Sequence, residues 1–230
     1  MRVIAGSARG RQLKSPPDST RPIMDRVKEN LFNILGTDVI DATVLDLYAG
    51  AGSVGIEALS RDAKHATFVE FNEDALKTIR SNLALTKLAP RATVVFANVY
   101  RYLKKPPATP YDLIYVAPPQ YKEMWKETMK LLDARPQWLA PEGTLVVQIH
   151  PTEYEELELK SFGLDDQRKY GNTLLCFFSR TEDNGRTTND DGRQTALTAL
   201  RLPPIHCHRL PPSMPSTVRR PPWLLTGAMI

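Results

Sequence analysis

A glycine-rich loop between a predicted strand and a predicted helix constrains this chain more than any other feature. The apolar segment 44–48 runs directly into a loop with the spacing G-x-G-x-x-G, formed by Gly50, Gly52 and Gly55. Helical periodicity then begins at residue 54. Glycine in this context lets a ligand approach the backbone closely, because it has no side chain and tolerates positive φ angles. The loop therefore predicts an adenosine-type cofactor, although the glycines alone do not identify which one.

The segments that follow alternate between short apolar runs and amphipathic stretches. Strands are predicted at 44–48, 66–70, 93–97, 113–116 and 144–149, and helices at 54–60, 73–85 and 122–132. This alternation is typical of an α/β fold of the Rossmann-like type, with a mostly parallel sheet. A last pair, 157–159 and 174–178, leaves no room for a crossover helix and is predicted to add antiparallel strands at the sheet edge.

Two acidic residues at predicted strand ends narrow the choice of cofactor. Asp46, four residues before Gly50, would repel a pyrophosphate but attract the ammonium group of a methionine moiety. Glu70 ends the second strand, where a carboxylate can accept both ribose hydroxyls of an adenosine. S-adenosylmethionine is thus favoured over a nicotinamide dinucleotide. The rest of the predicted cofactor-binding set is Tyr48, Gly50, Gly52, Phe71, Asn98 and Val99.

The fourth predicted strand ends in two consecutive prolines. Proline fixes the backbone and cannot donate to a strand ladder, so the preceding carbonyl groups can point into a crevice. Acceptors held there can bind the hydrogens of an amine and aim its lone pair at a sulfonium methyl group. The predicted catalytic segment is Ala117, Pro118, Pro119, Gln120 and Tyr121.

Basic residues are concentrated near the start of the chain. The net charge is only +4, but residues 1–28 contain seven Lys and Arg against two Asp. Clustered basic side chains bind nucleic-acid phosphates. The predicted phosphate-binding residues are Arg9, Arg11, Lys14, Arg21, Arg26 and Lys28.

Composition divides the chain into three predicted regions. Residues 1–40 form a basic extension with a helix that buries Val27, Leu31 and Ile34. Residues 41–180 form the cofactor-binding catalytic domain. Residues 181–230 form a polar, proline-rich tail that we expect to be disordered.

The sequence also favours a cytoplasmic monomer without a membrane or a metal. Arg2 stands where a signal peptide needs apolar residues, and no apolar run is long enough to cross a membrane. The only cysteines, Cys176 and Cys207, lie in dissimilar contexts and do not predict a disulfide framework. His206 and His208 flank Cys207 but lack the partner cluster of a metal site.

Over residues 1–180 the chain resembles the RsmD family of ribosomal RNA guanine-N2 methyltransferases. The resemblance rests on four segments: 1–11, 20–29, the loop 46–57, and 170–173. It implies a class I methyltransferase fold, with a mostly parallel seven-stranded sheet, an antiparallel last strand and helices on both faces. It further implies S-adenosylmethionine as cofactor and, as substrate, a guanine of small-subunit (16S) ribosomal RNA, presented in a partly assembled subunit.

One departure from the family pattern leaves alternatives open. The family motif reads Asp or Asn, Pro, Pro, and Tyr or Phe, whereas this chain has Ala117 at its first position and Gln120 at its fourth. The missing side chain would accept a hydrogen bond from the target amine, while the aromatic ring stacks on the extruded base. Gln120 or backbone carbonyls can take the first role, and Tyr121 the second. Losing one positioned hydrogen bond costs about 10²- to 10³-fold in rate.

Two alternatives therefore stand beside methyl transfer to a guanine amine. The first is a catalytically weak or silent RNA-binding or ribosome-assembly protein that has kept the methyltransferase fold. The second is an amino-methyltransferase that acts on another base, for example at N6 of adenine.

Overall fold

A computed structural model of the protein describes residues 1–16, 23–120 and 123–181. Within these residues the chain forms a seven-stranded sheet with the strand order β3-β2-β1-β4-β5-β7-β6. The strands are β1 (Thr43–Leu47), β2 (His65–Glu70), β3 (Ala92–Phe96), β4 (Tyr111–Val116), β5 (Leu139–Ile149), β6 (Phe162–Tyr170) and β7 (Thr173–Arg180). The first five strands pair in parallel, whereas β7 pairs antiparallel with both β5 and β6. The predicted fold class is confirmed.

Five α-helices accompany the sheet in the described part of the chain. They are α1 (Asp25–Leu35), α2 (Ser53–Ser60), α3 (Glu73–Thr86), α4 (Val99–Leu103) and α5 (Met124–Asp133). Residues 182–230, and with them almost all of the predicted tail, lie outside the described residues.

Alternate strand residues enter two hydrophobic clusters on opposite faces of the sheet. In β1, Val44 joins the cluster that contains α1, α2 and α3, whereas Leu45 joins the cluster that contains α4 and α5. This follows from the strand geometry, because successive side chains point to opposite faces. Strands buried on both sides need apolar residues at nearly every position, which explains the continuous apolar runs of the sequence.

The order of the strands creates a crevice beside β1. The chain runs from β1 outward to β2 and β3, and then returns to the other side of β1 as β4. At such a switch point the connections leave β1 and β4 in opposite directions, so the space beyond their carboxyl ends stays open for a ligand.

The prediction of a strand at 157–159 is wrong. Leu157 and Leu159 lie in irregular backbone and pack against the α4–α5 cluster, and the strand begins only at Phe162. The β6 strand is an edge strand with a largely exposed, charged sequence, so it lacks the apolar alternation that predicts strands.

The predicted buried face of α1 is also partly wrong. Val27 and Leu31 are buried, but Ile34 is 42% exposed, and Phe32 and Leu35 are buried in its place. Spacings of three and four both fit a helix, so the pattern alone does not decide which of the two neighbouring rows packs inward.

A buried carboxylate holds the start of the chain against α2. One oxygen of Glu57 accepts the backbone N–H of Ile4 at 2.8 Å, and the other accepts that of Ala5 at 3.0 Å. Arg61, one turn further along α2, donates its Nε to Glu57 at 2.9 Å. The backbone at Gly6 also packs closely against the end of α2, because a Cβ atom there would lie 1.7 Å from the carbonyl oxygen of Ser60.

The prediction that Lys28 binds an RNA phosphate is wrong, because this side chain is buried. Its Nζ lies 3.2 Å from Glu57 Oε2, and both side chains are 0% exposed. Lys28 also donates to the carbonyl oxygen of Arg2 at 2.6 Å and to Ser53 Oγ at 3.1 Å. Burial lowers the pKa of Lys28, and the neighbouring Glu57 carboxylate opposes that effect. This lysine therefore joins α1, α2 and the first residues of the chain.

We expect the substitution Lys28→Met to lower the free energy of unfolding by about 3–5 kcal/mol, because it removes the fully buried counter-charge of the Glu57 carboxylate and leaves it with Arg61 alone. The matched control is Lys77→Met, which removes an ion pair whose side chains are 71% and 62% exposed. That change should cost no more than about 1 kcal/mol. Urea unfolding of the full chain, followed by circular dichroism, measures both values. Similar losses in the two variants would contradict a structural role for the buried pair.

Candidate active site

A cavity of about 790 Å³ lies at the carboxyl ends of the central strands. This volume is within the usual range for sites that bind small molecules and cofactors. The cavity brings together residues from distant parts of the sequence, including Asp46, Glu70 and Gln148. It also includes Gly50 and the described part of the predicted catalytic segment, 117–120.

Asp46 forms a buried part of the cavity wall. Its side chain is at the end of β1, the residue is 2% exposed, and Oδ2 accepts the backbone N–H of Gly55 at 3.0 Å. Burial raises the pKa of Asp46 to about 8, the Gly55 hydrogen bond opposes this rise, and the nearby charge of Glu70 adds to it. Ionising Asp46 therefore costs free energy in the empty cavity, and a cation bound beside the carboxylate would offset that cost.

The glycines of the loop have different roles. Gly50 has φ +56°, lines the cavity, and leaves the position of an added Cβ atom open. Gly55 is needed for internal packing, because an added Cβ atom would lie 2.4 Å from the ring of Phe68. The interpretation that all three glycines serve the approach of a ligand is therefore wrong for Gly55.

Glu70 joins the glycine loop to the end of β2. Its Oε2 accepts the backbone N–H of Gly50 at 2.8 Å, and its Oε1 accepts those of Phe71 and Asn72 at 2.8 and 2.9 Å. These bonds fix the orientation of the carboxylate at the edge of the cavity. Each carboxylate oxygen can accept more than one hydrogen bond, so the group retains capacity for a ligand hydroxyl.

The ladder between β1 and β4 ends where the predicted catalytic segment begins. The backbone N–H of Ala117 donates to the carbonyl oxygen of Leu47 at 3.4 Å, and the two residues that follow, Pro118 and Pro119, have no N–H to continue the ladder. Both prolines, Ala117 and Gln120 line the cavity. Tyr121 lies outside the described residues.

Four residues of the predicted cofactor-binding set have other contacts. The hydroxyl group of Tyr48 hydrogen-bonds with that of Thr128 on α5 at 2.8 Å, although Tyr48 also lines the cavity. Asn98 caps α4 by accepting the backbone N–H of Arg101, and Val99 is buried in the α4–α5 cluster.

The fourth, Phe71, lies outside the cavity wall at the exposed end of β2. Its ring is stacked on that of Phe96, with centroids 5.4 Å apart and planes 8° from parallel. Gly52, also in the predicted set, packs near Phe68 and does not line the cavity.

Sequence reasoning missed a pair of polar side chains on neighbouring strands. The hydroxyl group of Tyr115, inside β4, donates to Oε1 of Gln148, inside β5, at 2.5 Å, and both residues line the cavity. The available signal was Gln148 itself, an amide within the apolar run 144–149. Asn172, in the turn between β6 and β7, also lines the cavity.

The basic extension borders the cavity. The cavity wall includes Met1, Pro16 and Ile23. These residues lie on either side of several basic residues in the sequence. The side chains predicted to bind phosphate are exposed at four described positions, Arg9, Arg11, Lys14 and Arg26. Arg21 lies outside the described residues.

The described residues contain no group of three or more His, Cys, Asp or Glu that could hold a metal ion. His206, Cys207 and His208, which were predicted not to form a metal site, lie outside the described residues. No helix in the same part of the chain is long and apolar enough to cross a membrane.

Comparisons with known proteins agree with this arrangement. Residues 1–179 match the family model described as conserved hypothetical protein 95. The chain is 40% identical over 149 residues to the ribosomal RNA small subunit methyltransferase D of Escherichia coli K12, an alignment that covers 64% of this chain and 74% of that protein. It is 39% identical over 184 residues to the putative rRNA methyltransferase YlbH of Bacillus subtilis, which covers 78% and 99%.

The fold has a solved counterpart of similar extent. The putative methyltransferase yhhF from Escherichia coli superposes with a TM-score of 0.70 at 35% identity, and the match covers 78% of this chain and 97% of that one. Taken with the family match over residues 1–179, this likeness leads to one conclusion: the chain belongs to the conserved hypothetical protein 95 family, the RsmD family, and has the class I methyltransferase fold.

Proposed function

We propose that the chain transfers a methyl group from S-adenosylmethionine to the exocyclic N2 amine of a guanine in small-subunit (16S) ribosomal RNA. One observation carries the proposal: Asp46 and the glycine loop face the same cavity as the Pro118-Pro119 segment. A cofactor on the β1 side and an amine on the β4 side therefore share one space. The names of the Escherichia coli and Bacillus subtilis relatives support ribosomal RNA as the substrate class.

The residues of the cavity fit the proposed cofactor. Asp46 offers a buried carboxyl group for the ammonium of the methionine moiety, and Gly50 leaves space beside the backbone. Glu70 retains capacity for a ribose hydroxyl. The cofactor supplies an electrophilic methyl group, and the protein holds it by these contacts.

On the substrate side, the protein's main task is to position the amine. The segment 117–120 lines the cavity, and its two prolines hold the backbone rigid where the target base would enter. A base that reaches this depth must leave its stack. Proton loss can follow methyl transfer, so no residue is required as a base before attack, and orientation carries most of the effect.

The exposed basic residues provide the proposed RNA contact. Arg9, Arg11, Lys14 and Arg26 lie on the extension that borders the cavity, and Arg21 remains a prediction for this set. Lys28 is excluded from the proposed RNA contact because its side chain is buried.

Because residue 117 is an alanine, a non-catalytic function remains the alternative to methyl transfer. A silent RNA-binding or assembly protein would bind cofactor and RNA without transfer, because position 117 has no side-chain acceptor. A second alternative, transfer to the amine of another base, would use the same cavity.

Methyl transfer to RNA is the direct test. The full chain is incubated with methyl-tritiated S-adenosylmethionine and either naked 16S ribosomal RNA or small subunits that lack the modification, and the nucleosides are identified by mass spectrometry. We expect N2-methylguanosine. Activity that appears only after Ala117→Asp would favour the silent protein, and N6-methyladenosine would favour the other base. Failure of both the natural chain and this variant would overturn the proposal.

Cofactor affinity should depend on pH through Asp46. The free carboxyl group has a pKa of about 8, so at pH 7 roughly nine-tenths of it is protonated, and a bound ammonium favours the ionised form. We expect binding at pH 7 to release about 0.9 proton, and the Kd to rise about tenfold for each pH unit below 7. The measurement is isothermal titration between pH 6 and 7.5 in buffers of different ionisation enthalpy.

The Asp46→Asn variant should lose affinity and also the proton release. Asp38→Asn makes the same change of charge at an exposed position before the start of β1. It should behave like the natural chain. Equal proton release from Asp46→Asn and the natural chain would show that the ammonium does not bind at Asp46.

RNA affinity should weaken with salt in proportion to the phosphate contacts. For single-stranded RNA each contact contributes about −0.7 to the slope of log K against log salt, so the double substitution Arg9→Gln/Arg11→Gln should flatten that slope by about 1.4. The control is Lys104→Gln/Lys105→Gln, two exposed lysines between α4 and the amino end of β4. An unchanged slope in the arginine variant, or an equal change in the control, would remove the basic extension from the proposal.

A further inference from the structure

We infer that Gln148 binds the substrate base directly, with its amide Nε2 donating to the ring nitrogen beside the target amine. The inference rests on the proposed function and deepens it, because it names the group that reads the base. Gln148 stands beside the position where Ala117 contributes no polar side chain.

Strand register places Gln148 next to the predicted catalytic segment. The parallel pairing of β4 with β5 matches Tyr115 to Val146 and Val116 to Val147. One residue further along both strands are Ala117 and Gln148, and both line the cavity. Side chains at matched positions of parallel neighbours share a face of the sheet. Gln148 therefore reaches the space that a side chain at position 117 would fill.

Tyr115 fixes the orientation of the Gln148 amide. The phenol is 3% exposed, and its hydroxyl group donates to Gln148 Oε1 at 2.5 Å. Burial, with a smaller contribution from the charge of Asp46, raises the pKa of Tyr115 well above 10, so the hydroxyl group keeps its proton and remains a donor. With Oε1 held in this way, the remaining hydrogen-bonding capacity of the amide is mainly the two hydrogens on Nε2.

Those hydrogens have no acceptor among the described residues. Gln148 is half-buried, the only hydrogen bond of its side chain in this part of the structure is the one with Tyr115, and it borders the cavity. An oriented donor at the edge of a cavity fits a ligand that presents an acceptor there. It does not fit a ligand that presents only an apolar edge, since the amide would then lose its solvent without gaining a partner.

The chemistry of the base provides that acceptor. In guanine, the N3 atom is an acceptor directly beside the N2 amine, and both lie on the same edge of the base. A donor at N3 fixes the base in its plane and so fixes the direction of the amine lone pair. Loss of one such hydrogen bond in a positioned complex lowers rates by about 10²-fold. Gln148 thus supplies the positioning that the missing side chain at position 117 cannot.

The test uses two substitutions that preserve the size of the side chain. Gln148→Glu keeps an oxygen for the Tyr115 hydroxyl group but removes the Nε2 donor, and Gln148→Met removes both polar atoms. We expect each to lower kcat for transfer to 16S ribosomal RNA by about 10²-fold. The affinity for S-adenosylmethionine should stay near that of the natural chain. The urea midpoint should stay in place for Gln148→Glu and fall for Gln148→Met, because the buried Tyr115 hydroxyl group then loses its acceptor. The control, Gln137→Ala, changes an exposed glutamine just before the opposite end of β5 and should keep full activity.

A binding measurement gives a readout without turnover. The protein loaded with S-adenosylhomocysteine is titrated with a short single-stranded RNA that carries one guanine, and then with the same RNA carrying 3-deazaguanine, which lacks the N3 acceptor. The natural chain should prefer guanine by about five- to tenfold, and Gln148→Met should show no preference.

The outcomes separate the inference from the proposed function. If the natural chain transfers no methyl group but prefers guanine, and the Gln148 variants lose that preference, the base contact is supported and the proposed function is contradicted. Full activity of both variants, or an unchanged preference for guanine over 3-deazaguanine, would overturn the inference and leave the proposed function standing.

Discussion

The buried ion pair between Lys28 and Glu57 is the contact on which the rest of the site depends. Glu57 is the fifth residue of α2, the helix that starts directly after Gly52, and it accepts the backbone N–H groups of Ile4 and Ala5. Lys28 adds the carbonyl oxygen of Arg2 and the hydroxyl group of Ser53, the first residue of α2. The first residues of the chain, α1 and the start of α2 are therefore held together as one unit by buried contacts. A buried charge that loses its partner is costly, so this unit cannot separate locally without a large penalty.

Most of the fold was predictable, because buried parallel strands produce apolar runs that a sequence shows directly. The failures have physical causes. The edge strand β6 is polar on its exposed side, so apolar alternation did not reveal it, and the apolar pair Leu157 and Leu159 was mistaken for it. On α1, Ile34 and Leu35 are both apolar, and only the packing against the sheet decides that Leu35 turns inward.

The candidate site was predictable where its residues adjoin strand ends, as with Asp46, Glu70 and the two prolines. It was not predictable where the contact depends on register between strands. Tyr115 and Gln148 are 33 residues apart in sequence, and only the pairing of β4 with β5 brings them together. The prediction that Lys28 binds phosphate failed for a related reason. Counting charges along the chain does not distinguish an exposed lysine from one that is buried against a partner, here Glu57, 29 positions later.

The cavity wall carries carboxyl groups while the adjoining basic extension carries exposed positive charges, and this difference bears on which ligands bind each part. Asp46 and Glu70 both line the cavity, where burial makes the ionised form of Asp46 costly and a cation would relieve that cost. The exposed arginines and lysine belong to the basic extension, from which Met1, Pro16 and Ile23 line the same cavity. A polyanion is thus attracted to the exposed basic side chains, whereas a ligand with an ammonium and a sulfonium charge is favoured beside the carboxyl groups of the cavity. This distribution of charge favours a phosphate backbone on the extension and an uncharged base in the cavity, which is the arrangement that the proposed methyl transfer to a base amine needs.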